Sequence, residues 1–216
     1  MSRILFLDTS ASQTRCFWIE RDHEPLVVLY ESGNEHAKQI IPALDQLKQL
    51  IAPQPVQPEA VAVLNGPGSY TGLRIALSVA KGICYAYQIP LLLLSNLDVI
   101  ARASKSFGHH ALWVMKKARE GEYFCASYNP EGNHILEPQL IHSDSLEALM
   151  QAKDYHQVIE NEDDRWGSGP FELVYTDPET IKIACLEAFS DKKFADCFLA
   201  EPFYLKNVHI NKINKL

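Results

Sequence analysis

This 216-residue sequence has no excess of positive charge, and that absence is the most informative one. Its 20 Lys and Arg residues are outnumbered by 27 Asp and Glu residues, which gives a formal net charge of −7. A chain with this charge has no overall basic field that would attract nucleic acid or an anionic membrane surface. Any contact with RNA is therefore expected to go through a local patch or a partner protein.

Cysteine is scarce and scattered. The five cysteines are odd in number, and neighbouring ones are never closer than 12 positions. They are Cys16, Cys84, Cys125, Cys185 and Cys197. This spacing excludes a Cys-x-x-Cys zinc or redox motif and gives no disulfide framework, so we expect buried, reduced thiols in a cytoplasmic protein.

Long hydrophobic runs and low-complexity segments are missing as well. The longest strongly apolar run, residues 89–94, is far below the ~20 residues needed to cross a bilayer. Near the N-terminus only residues 4–7 are apolar before Asp8, which we interpret as too short for a signal peptide. A hydrophobic content of 47% and a charged content of 22% indicate a soluble globular protein of one large or two small domains.

A glycine-rich stretch, residues 65–74 (NGPGSYTGLR), is the feature around which the sequence is organised. It follows an apolar strand predicted at 60–64 and begins a helix predicted to run to about Tyr87. The unpaired amides at the start of such a helix form an anion site, and glycine lets the backbone approach another group closely. Two interpretations stay open: a phosphate-binding or close-contact loop, and a strand-to-helix turn that binds no ligand.

The spacing within this stretch does not match the standard nucleotide-binding loops. A dinucleotide fingerprint needs its third glycine three residues after the second, whereas Gly72 comes four residues after Gly68. A P-loop ends in Gly-Lys-Ser/Thr, whereas Leu and Arg follow Gly72. The glycines of a nucleophile elbow are replaced by Pro and Thr on the two sides of Ser69. Ser69 is therefore predicted to cap the helix rather than to act as a nucleophile.

The order of predicted elements in the first half indicates the fold. The predicted strands are 3–7, 14–20, 26–31, 60–64 and 89–94, and the predicted helices are 35–51, the helix up to Tyr87, and 96–106. Short links make the first three strands an antiparallel meander, whereas helical connections make the later strands parallel. Pro42 lies inside the first helix and predicts a kink or a late start there. This order is characteristic of ribonuclease H-like folds.

The second half repeats this pattern in part. Beyond a polar stretch at 104–110, the predicted elements are strands at 111–116, 122–128, 134–141 and 157–160 and helices at 143–151 and 178–190. We therefore predict an α/β protein with the actin-like (ASKHA) ATPase fold, built from two ribonuclease H-like lobes. The N-terminal lobe is placed at residues 1–105 and a smaller C-terminal lobe at 106–216, with the option that its tail packs back on the first lobe.

Motifs along most of the chain resemble one protein family. They are ILFLDTS at 4–10, His-x-x-x-Ile-Ile-Pro at 36–42, GPGSYTGLR at 66–74, AKG at 80–82, IPLLLLSNLDVIA at 89–101 and PFYLK at 202–206. On these motifs the chain is identified as a member of the TsaB (YeaZ) family, whose members are dimerisation subunits of the bacterial complex that makes threonylcarbamoyladenosine on tRNA. Tyr70 stands where the family usually has Phe, and Lys117 replaces the aspartate of a second-lobe motif, so no role is carried over there.

The resemblance implies a subunit without catalytic residues or a metal site. The catalytic paralogue, TsaD, shares the fold and holds its metal with a His-x-x-x-His pair, whose positions correspond here to Asn96 and Ile100. Isoleucine cannot bind a metal, and none of the eight histidines forms an i, i+4 pair. The implied function is a non-catalytic subunit that binds and activates the TsaD transferase in threonylcarbamoylation of the adenosine next to the tRNA anticodon.

The resemblance also implies a partner surface formed by the helix at 35–51 and the helix after the glycine-rich stretch. The interface residues expected on this basis are His36, Ile40, Leu44, Arg74, Ala76, Leu77, Ala80 and Lys81. Burial of the second helix within its own lobe is the alternative. The implied partners are a TsaD-type transferase and a TsaE-type ATPase, with homodimers when the chain is alone, only indirect contact with tRNA, and no membrane.

A nucleotide or phosphate contact is a further expectation. Its candidate residues are Asp8, Thr9, Ser10, Gly66, Gly68, Ser69, Thr71 and Gly72. The alternative is that Asp8 and Thr9 only cap a tight turn. No tightly bound cofactor is expected, and ATP or ADP with Mg²⁺ would bind only in the assembled complex.

Two other functions stay open at this point. A stand-alone actin-fold ATPase or kinase would need a second phosphate loop, for which residues 167–169 (GSG) are the sole candidate. An M22-type glycoprotease-like metalloenzyme would need metal ligands that the sequence does not offer at the expected positions. The C-terminal tail, residues 207–216, is basic and could lie along RNA, although a frayed terminus is the simpler expectation.

Overall fold

The computed structural model describes residues 2–33, 35–52, 56–143, 145, 155–160 and 172–205. The predicted loop at 167–169, the tail at 207–216 and most of the predicted helix at 143–151 lie outside these residues. In chain order the elements are β1 (Arg3–Asp8), β2 (Gln13–Glu20), β3 (Leu26–Glu31), α1 (His36–Ile51), β4 (Ala60–Gly66), α2 (Tyr70–Tyr87), β5 (Leu91–Ser95), α3 (Asn96–Ala103), β6 (Leu112–Arg119), β7 (Glu122–Tyr128), β8 (His134–His142), β9 (His156–Glu160), β10 (Glu172–Val174), α4 (Pro178–Ser190) and β11 (Phe194–Ala195).

The first sheet has the strand order β11-β5-β4-β1-β2-β3. Strands β1, β2 and β3 are antiparallel neighbours, and β1, β4 and β5 are parallel neighbours. This confirms the predicted meander and the predicted direction of the helix-connected strands. Helix α1 runs without interruption from His36 through Pro42 to Ile51, so the late start that Pro42 suggested does not occur.

The second sheet repeats this topology. Its order is β10-β9-β6-β7-β8, in which β6, β7 and β8 form an antiparallel meander and β9 and β10 are parallel additions. Five strands in each sheet therefore follow one plan, which confirms the predicted pair of ribonuclease H-like lobes and the actin-like fold.

Helices cover both faces of the first sheet. Alternate residues of a strand point to opposite faces, and here both sets are apolar because both faces are buried. Leu5 and Leu7 of β1 belong to the core under α1 and α2, whereas Ile4 and Phe6 belong to the core under α4. Helix α4 contributes its buried face to this second core; the residues are Ile181, Ala184, Cys185 and Ala188.

The division of the chain differs from the predicted boundary between residues 105 and 106. Its two compact units are Met1–Val99 with Thr176–Tyr204, and a second unit that includes Ile100–Tyr175. The reason is the apolar face of α4, which packs on the first sheet although α4 follows the second sheet in the chain. No helix among the described residues is long and apolar enough to span a membrane.

The cysteines are free thiols, and four of the five are buried. Burial raises the pKa of the Cys16 thiol to about 12, with a further contribution from the nearby charge of Asp8. Burial also raises the pKa of Cys84 to about 12. These two thiols are therefore protonated core groups. The predicted burial is confirmed for four of the five cysteines, whereas Cys197 is partly exposed.

Candidate functional site

The glycine-rich turn lies directly on the loop that follows β1. The backbone amide of Ser69 donates to the carbonyl of Ser10 at 3.0 Å. The Thr9 hydroxyl donates to the carbonyl of Gly72 at 2.6 Å and accepts from the amide of Ala76 at 3.2 Å. A Cβ at Gly72 would lie 1.8 Å from the carbonyl oxygen of Thr9, so only glycine allows this approach.

Ser69 caps α2, as the sequence predicted. Its side-chain oxygen accepts a hydrogen bond from the amide of Gly72 at 3.2 Å. The bond satisfies one of the donors that the first turn of a helix leaves unpaired.

Asn96, at the start of α3, ties the two loops together. Its side-chain nitrogen donates to the Ser10 hydroxyl at 2.9 Å, and its side-chain oxygen accepts from the amide of Gly66 at 3.1 Å. The amide of Phe203 donates to the carbonyl of Asn65 at 2.8 Å. Gly66 has φ +121°, and a Cβ there would lie 2.6 Å from the Phe203 carbonyl oxygen. We call residues 196–204 the C-terminal strap; the sequence left open that the tail packs back on the first lobe but did not indicate these particular contacts.

Asp8 forms a buried ion pair with Arg15 of β2. Nη2 and Nε of Arg15 lie 2.7 and 2.8 Å from Oδ2 of Asp8, and the amide of Ser10 donates to Oδ1 at 2.8 Å. Arg15 also donates to the carbonyl and hydroxyl of Thr176, each at 3.1 Å. Burial would raise the pKa of Asp8, but the charge of Arg15 and the hydrogen bonds from Ser10 outweigh it and lower that pKa.

The eight residues predicted for a nucleotide or phosphate contact fall into a buried group and an accessible group. Five of them are buried: Asp8, Thr9, Ser10, Gly66 and Gly72. Polar groups of these five hydrogen-bond within the chain, either to each other or to Arg15, Asn96, Ser69 and Ala76. The accessible ones are Ser69 and Thr71, with Gly68 partly exposed, and any nucleotide contact stays a prediction that depends on these three.

A shallow groove of about 450 Å³ lies between α1 and α2. Its lining residues are Ala37, Ile40, Ile41, Tyr70, Thr71, Arg74, Ile75, Ser78 and Val79. Ile41 is 52% exposed and Tyr70 is 54% exposed, so large apolar side chains reach the surface here. Further along α2, a Cβ at Gly82 would meet no atom within 4 Å.

The structure corrects the predicted set of interface residues. His36, Ile40, Ala76, Leu77 and Ala80 are buried inside the first unit. Leu44 and Lys81 are half-buried, and Arg74 alone of the eight is exposed.

The reason for this correction is the helical period of α2. Its buried residues recur three or four positions apart and form one stripe on the sheet; they are Leu73, Ala76, Leu77, Ala80 and Cys84. Small alanines suggested contact with another helix, but here they allow α2 to approach its own sheet. The outward-facing small residues are Ser78, Gly82 and Ala86.

His36 has an internal role as well. Its Nδ1 lies 2.9 Å from the Thr14 hydroxyl, which in turn lies 2.6 Å from the Ser32 hydroxyl. This buried network joins the first turn of α1 to β2 and to the end of β3.

Arg74 is clamped by two tyrosines. Its Nε donates to the Tyr204 hydroxyl at 2.7 Å, and its Cζ lies 4.1 Å from the centre of the Tyr70 ring. The two rings stack with their centres 4.6 Å apart. The hydrogen bond to Tyr204 raises the pKa of Arg74 above its ordinary value. Tyr204 was not predicted as a site residue, because it comes 130 positions after Arg74 in the sequence.

Asn96 and Ile100, the two positions that the family resemblance relates to metal-binding histidines, have other roles here. Both amide atoms of Asn96 are hydrogen-bonded to the chain, and Ile100 is a fully buried apolar side chain. Among the described residues, no group of three or more His, Cys, Asp or Glu side chains could hold a metal ion.

The contact between Gly72 and Thr9 gives a paired prediction. Gly72→Ala should lower the free energy of unfolding by more than about 3 kcal/mol, because the new Cβ would overlap the Thr9 backbone. Gly82→Ala, at an open position of the same helix, should raise it by about 0.5 to 1 kcal/mol. Urea unfolding of the isolated chain measures both, and equal effects of the two variants would contradict this account.

The Asp8–Arg15 pair predicts a dependence of stability on pH. Because the pKa of Asp8 in the folded chain is below its ordinary value of 3.8, the pair stabilises the fold above that pH. This stabilisation is lost as the pH falls through the folded-state pKa. Asp8→Asn should lower the free energy of unfolding by about 3 kcal/mol at neutral pH.

The difference in the free energy of unfolding between wild type and Asp8→Asn should become smaller only below a pH of about 4. Parallel urea titrations of both proteins at neutral and acidic pH measure this difference. A difference that stays constant down to the lowest pH would show that the charge of Asp8 is not the cause.

Comparison with known proteins relates this geometry to a family. The family model for TsaD, tRNA N6-adenosine threonylcarbamoyltransferase, matches residues 27–177, which is well over half of the chain. The tRNA threonylcarbamoyladenosine biosynthesis protein TsaB of Escherichia coli (strain K12) is 26% identical over 194 residues, which cover 80% of this chain and 81% of that protein. TsaB of Bacillus subtilis (strain 168) is 27% identical over 134 residues, which cover 62% of this chain and 58% of that protein.

Solved structures agree with the fold. A Pseudomonas aeruginosa structure described as an uncharacterized protein similar to peptidase YEAZ has a TM-score of 0.76 and 22% identity, and it covers 95% of this chain and 100% of that chain. The structure described as YeaZ from Pseudomonas aeruginosa has a TM-score of 0.73 and 21% identity at the same coverage. With the family-model match, the TsaB relatives and the repeated sheet topology, the chain belongs to the TsaD-like family of tRNA N6-adenosine threonylcarbamoyltransferases, and within it to the TsaB (YeaZ) group.

Proposed function

We propose that this chain is a non-catalytic subunit that binds a TsaD-type transferase through α1 and α2. In this role it supports threonylcarbamoylation of the adenosine next to the tRNA anticodon. The observation that carries the proposal is the exposed apolar groove between α1 and α2. The names of the TsaB relatives associate such chains with the same tRNA modification.

The composition of the groove supports a protein partner. Ile41 is exposed and Ile75 and Val79 are partly exposed, so the groove would bury apolar area against a second surface. Tyr70 and Arg74 also line the groove, and tyrosine and arginine are enriched among the residues that dominate binding energy at interfaces. The small residues along the outward face of α2 would let another helix approach closely.

The chemistry of the polar side chains supports a role without catalysis. A catalytic acid or nucleophile needs access to a substrate, but Asp8 and Thr9 are fully buried and are bonded within the chain. Asn96 supports the glycine-rich turn from the position that corresponds to a metal ligand of the transferase. What the site does in this chain is to fix the start of α2, one of the two helices that border the groove.

The match to the TsaD family model supports the choice of partner. Two chains with one fold present similar helix pairs, so a surface that binds the paralogue is nearly complementary to itself. We therefore propose a heterodimer with the transferase and a homodimer when the chain is alone. A TsaE-type ATPase would join the heterodimer, and tRNA would contact this chain only through the complex, in the cytoplasm. ATP or ADP with Mg²⁺ would bind only in the assembled complex.

Two matched substitutions test the proposed surface. Ile41→Asp places a charge in the groove, whereas Ile183→Asp places the same charge on α4, on the opposite face of the first sheet; the two side chains are 52% and 45% exposed. With the transferase from the same organism, Ile41→Asp should weaken binding at least tenfold, or about 1.4 kcal/mol. Ile183→Asp should leave the calorimetric Kd unchanged.

Both variants should unfold at nearly the wild-type temperature, because neither position is in the core. If Ile41→Asp binds as tightly as wild type, the groove is not the docking surface. If the wild-type chain and the transferase stay separate monomers on a sizing column, the proposed heterodimer is wrong.

A reconstituted reaction tests the activating role. We expect tRNA modification by the transferase to be much faster with this chain than without it, and Ile41→Asp to reduce the stimulation in proportion to the lost binding. Equal rates with and without the wild-type chain would contradict the proposed function.

A further inference from the structure

Arg74 is an exposed cation held in one position on the border of the groove. One hydrogen bond to Tyr204 and the ring of Tyr70 fix its guanidinium. In the part of the chain that the structure describes, no carboxylate lies within 4 Å of Arg74. An ordered arginine that borders an apolar groove and has no carboxylate beside it among the described residues is prepared to bind an anion from another molecule.

The tyrosine that orders Arg74, Tyr204, is the last residue of the C-terminal strap. The strap is anchored to α2 through Lys81, whose Nζ donates to the carbonyls of Phe198 and Ala200 at 3.1 and 3.0 Å. It is anchored to the glycine-rich turn by the hydrogen bond from the amide of Phe203 to the carbonyl of Asn65 at 2.8 Å. Tyr204 is therefore the last residue of an anchored segment, and its hydroxyl is a fixed acceptor for Nε of Arg74.

The surroundings of Arg74 distinguish between two kinds of anion. A surface that binds RNA phosphates needs several accessible cations, because affinity grows with the number of phosphates neutralised. Lys81, the other cation of α2, is engaged by the strap, and the chain as a whole carries a net charge of −7. The neighbours of Arg74 in the groove are apolar side chains such as Ile75 and Ile41, which suit a protein surface.

We propose that the cluster of Tyr70, Arg74 and Tyr204 binds a carboxylate side chain of the transferase partner, and that Tyr204 positions Arg74 for this contact. The inference rests on the proposed function and adds a charged anchor to the apolar groove. Because Nε of Arg74 is bonded to Tyr204, the two terminal nitrogens of the guanidinium are the groups that bind the carboxylate. Preorganisation by the strap reduces the conformational freedom that Arg74 loses when the partner binds.

Substitutions at Arg74 test the charged contact. Arg74→Gln should raise the Kd for the transferase at least about tenfold and make the Kd less dependent on salt, since one ion pair is removed. Arg74→Lys keeps the charge but loses the planar donor geometry and should recover only part of the affinity. Arg21→Gln, a change at another exposed arginine of the first unit, is the control and should leave the Kd unchanged.

A double-mutant cycle tests the positioning role of Tyr204. Tyr204→Phe keeps the ring that stacks on Tyr70 but removes the acceptor of the Arg74 hydrogen bond, so the Kd should rise about threefold. In the Arg74→Gln background the same change should have no further effect on the Kd. An equal effect in both backgrounds would show that Tyr204 does not act through Arg74.

A charge swap identifies the partner group. In the Arg74→Glu background, acidic residues on the transferase are replaced one at a time by lysine, and the Kd of each pair is measured. Restored binding for one pair identifies the carboxylate, and no restoration across all exposed acidic residues overturns the proposal.

The controls separate this inference from the proposed function. If Ile41→Asp disrupts the heterodimer but Arg74→Gln binds normally, the surface is right and the charged anchor is wrong. If Arg74→Gln keeps the Kd for the transferase but weakens binding of the complex to tRNA, the cluster contacts RNA phosphate and the proposal is overturned. If wild type does not bind the transferase at all, the proposed function itself fails.

Discussion

The approach of α2 to the loop after β1 is the contact on which the first unit depends. The backbone of Gly72 lies so close to Thr9 that no side chain fits between them, and the Thr9 hydroxyl bonds to both Gly72 and Ala76. This contact fixes the start of α2 against the sheet. The direction of α2 then determines where the groove beside α1 lies and which of its residues face outward. A turn that resembles a phosphate loop in composition is thus used here for helix placement.

Much of the fold can be predicted from the sequence because its signals are local. Apolar strands with short links predicted the antiparallel meander, and helical connections predicted the parallel strands. The helix cap at Ser69 was also predicted correctly. The position of α4 could not be predicted in this way. Its apolar spacing predicts a helix with a buried face but does not specify which sheet that face covers, and the structure packs it on the first sheet.

The candidate site was less predictable, for two physical reasons. Alanine packs equally well against a sheet or a helix, so Ala76 and Ala80 were expected at an interface, whereas their burial places them in the core. The strap contacts the rest of the unit largely through backbone groups, such as the amide of Phe203 and the carbonyl of Ala200, and these give no signal in the sequence. The link between Arg74 and Tyr204 depends on that strap.

The return of Thr176–Tyr204 to the first unit has a consequence for synthesis on the ribosome. Until α4 leaves the ribosome, the face of the first sheet that carries Ile4 and Phe6 lacks the cover that α4 provides. The nascent first lobe therefore carries an exposed apolar surface while the whole second lobe is being translated. Domains that are continuous in sequence can complete their cores as they emerge, but this unit is completed only after the second lobe has been translated. Chaperones that shield apolar surface therefore have access to this face during that period.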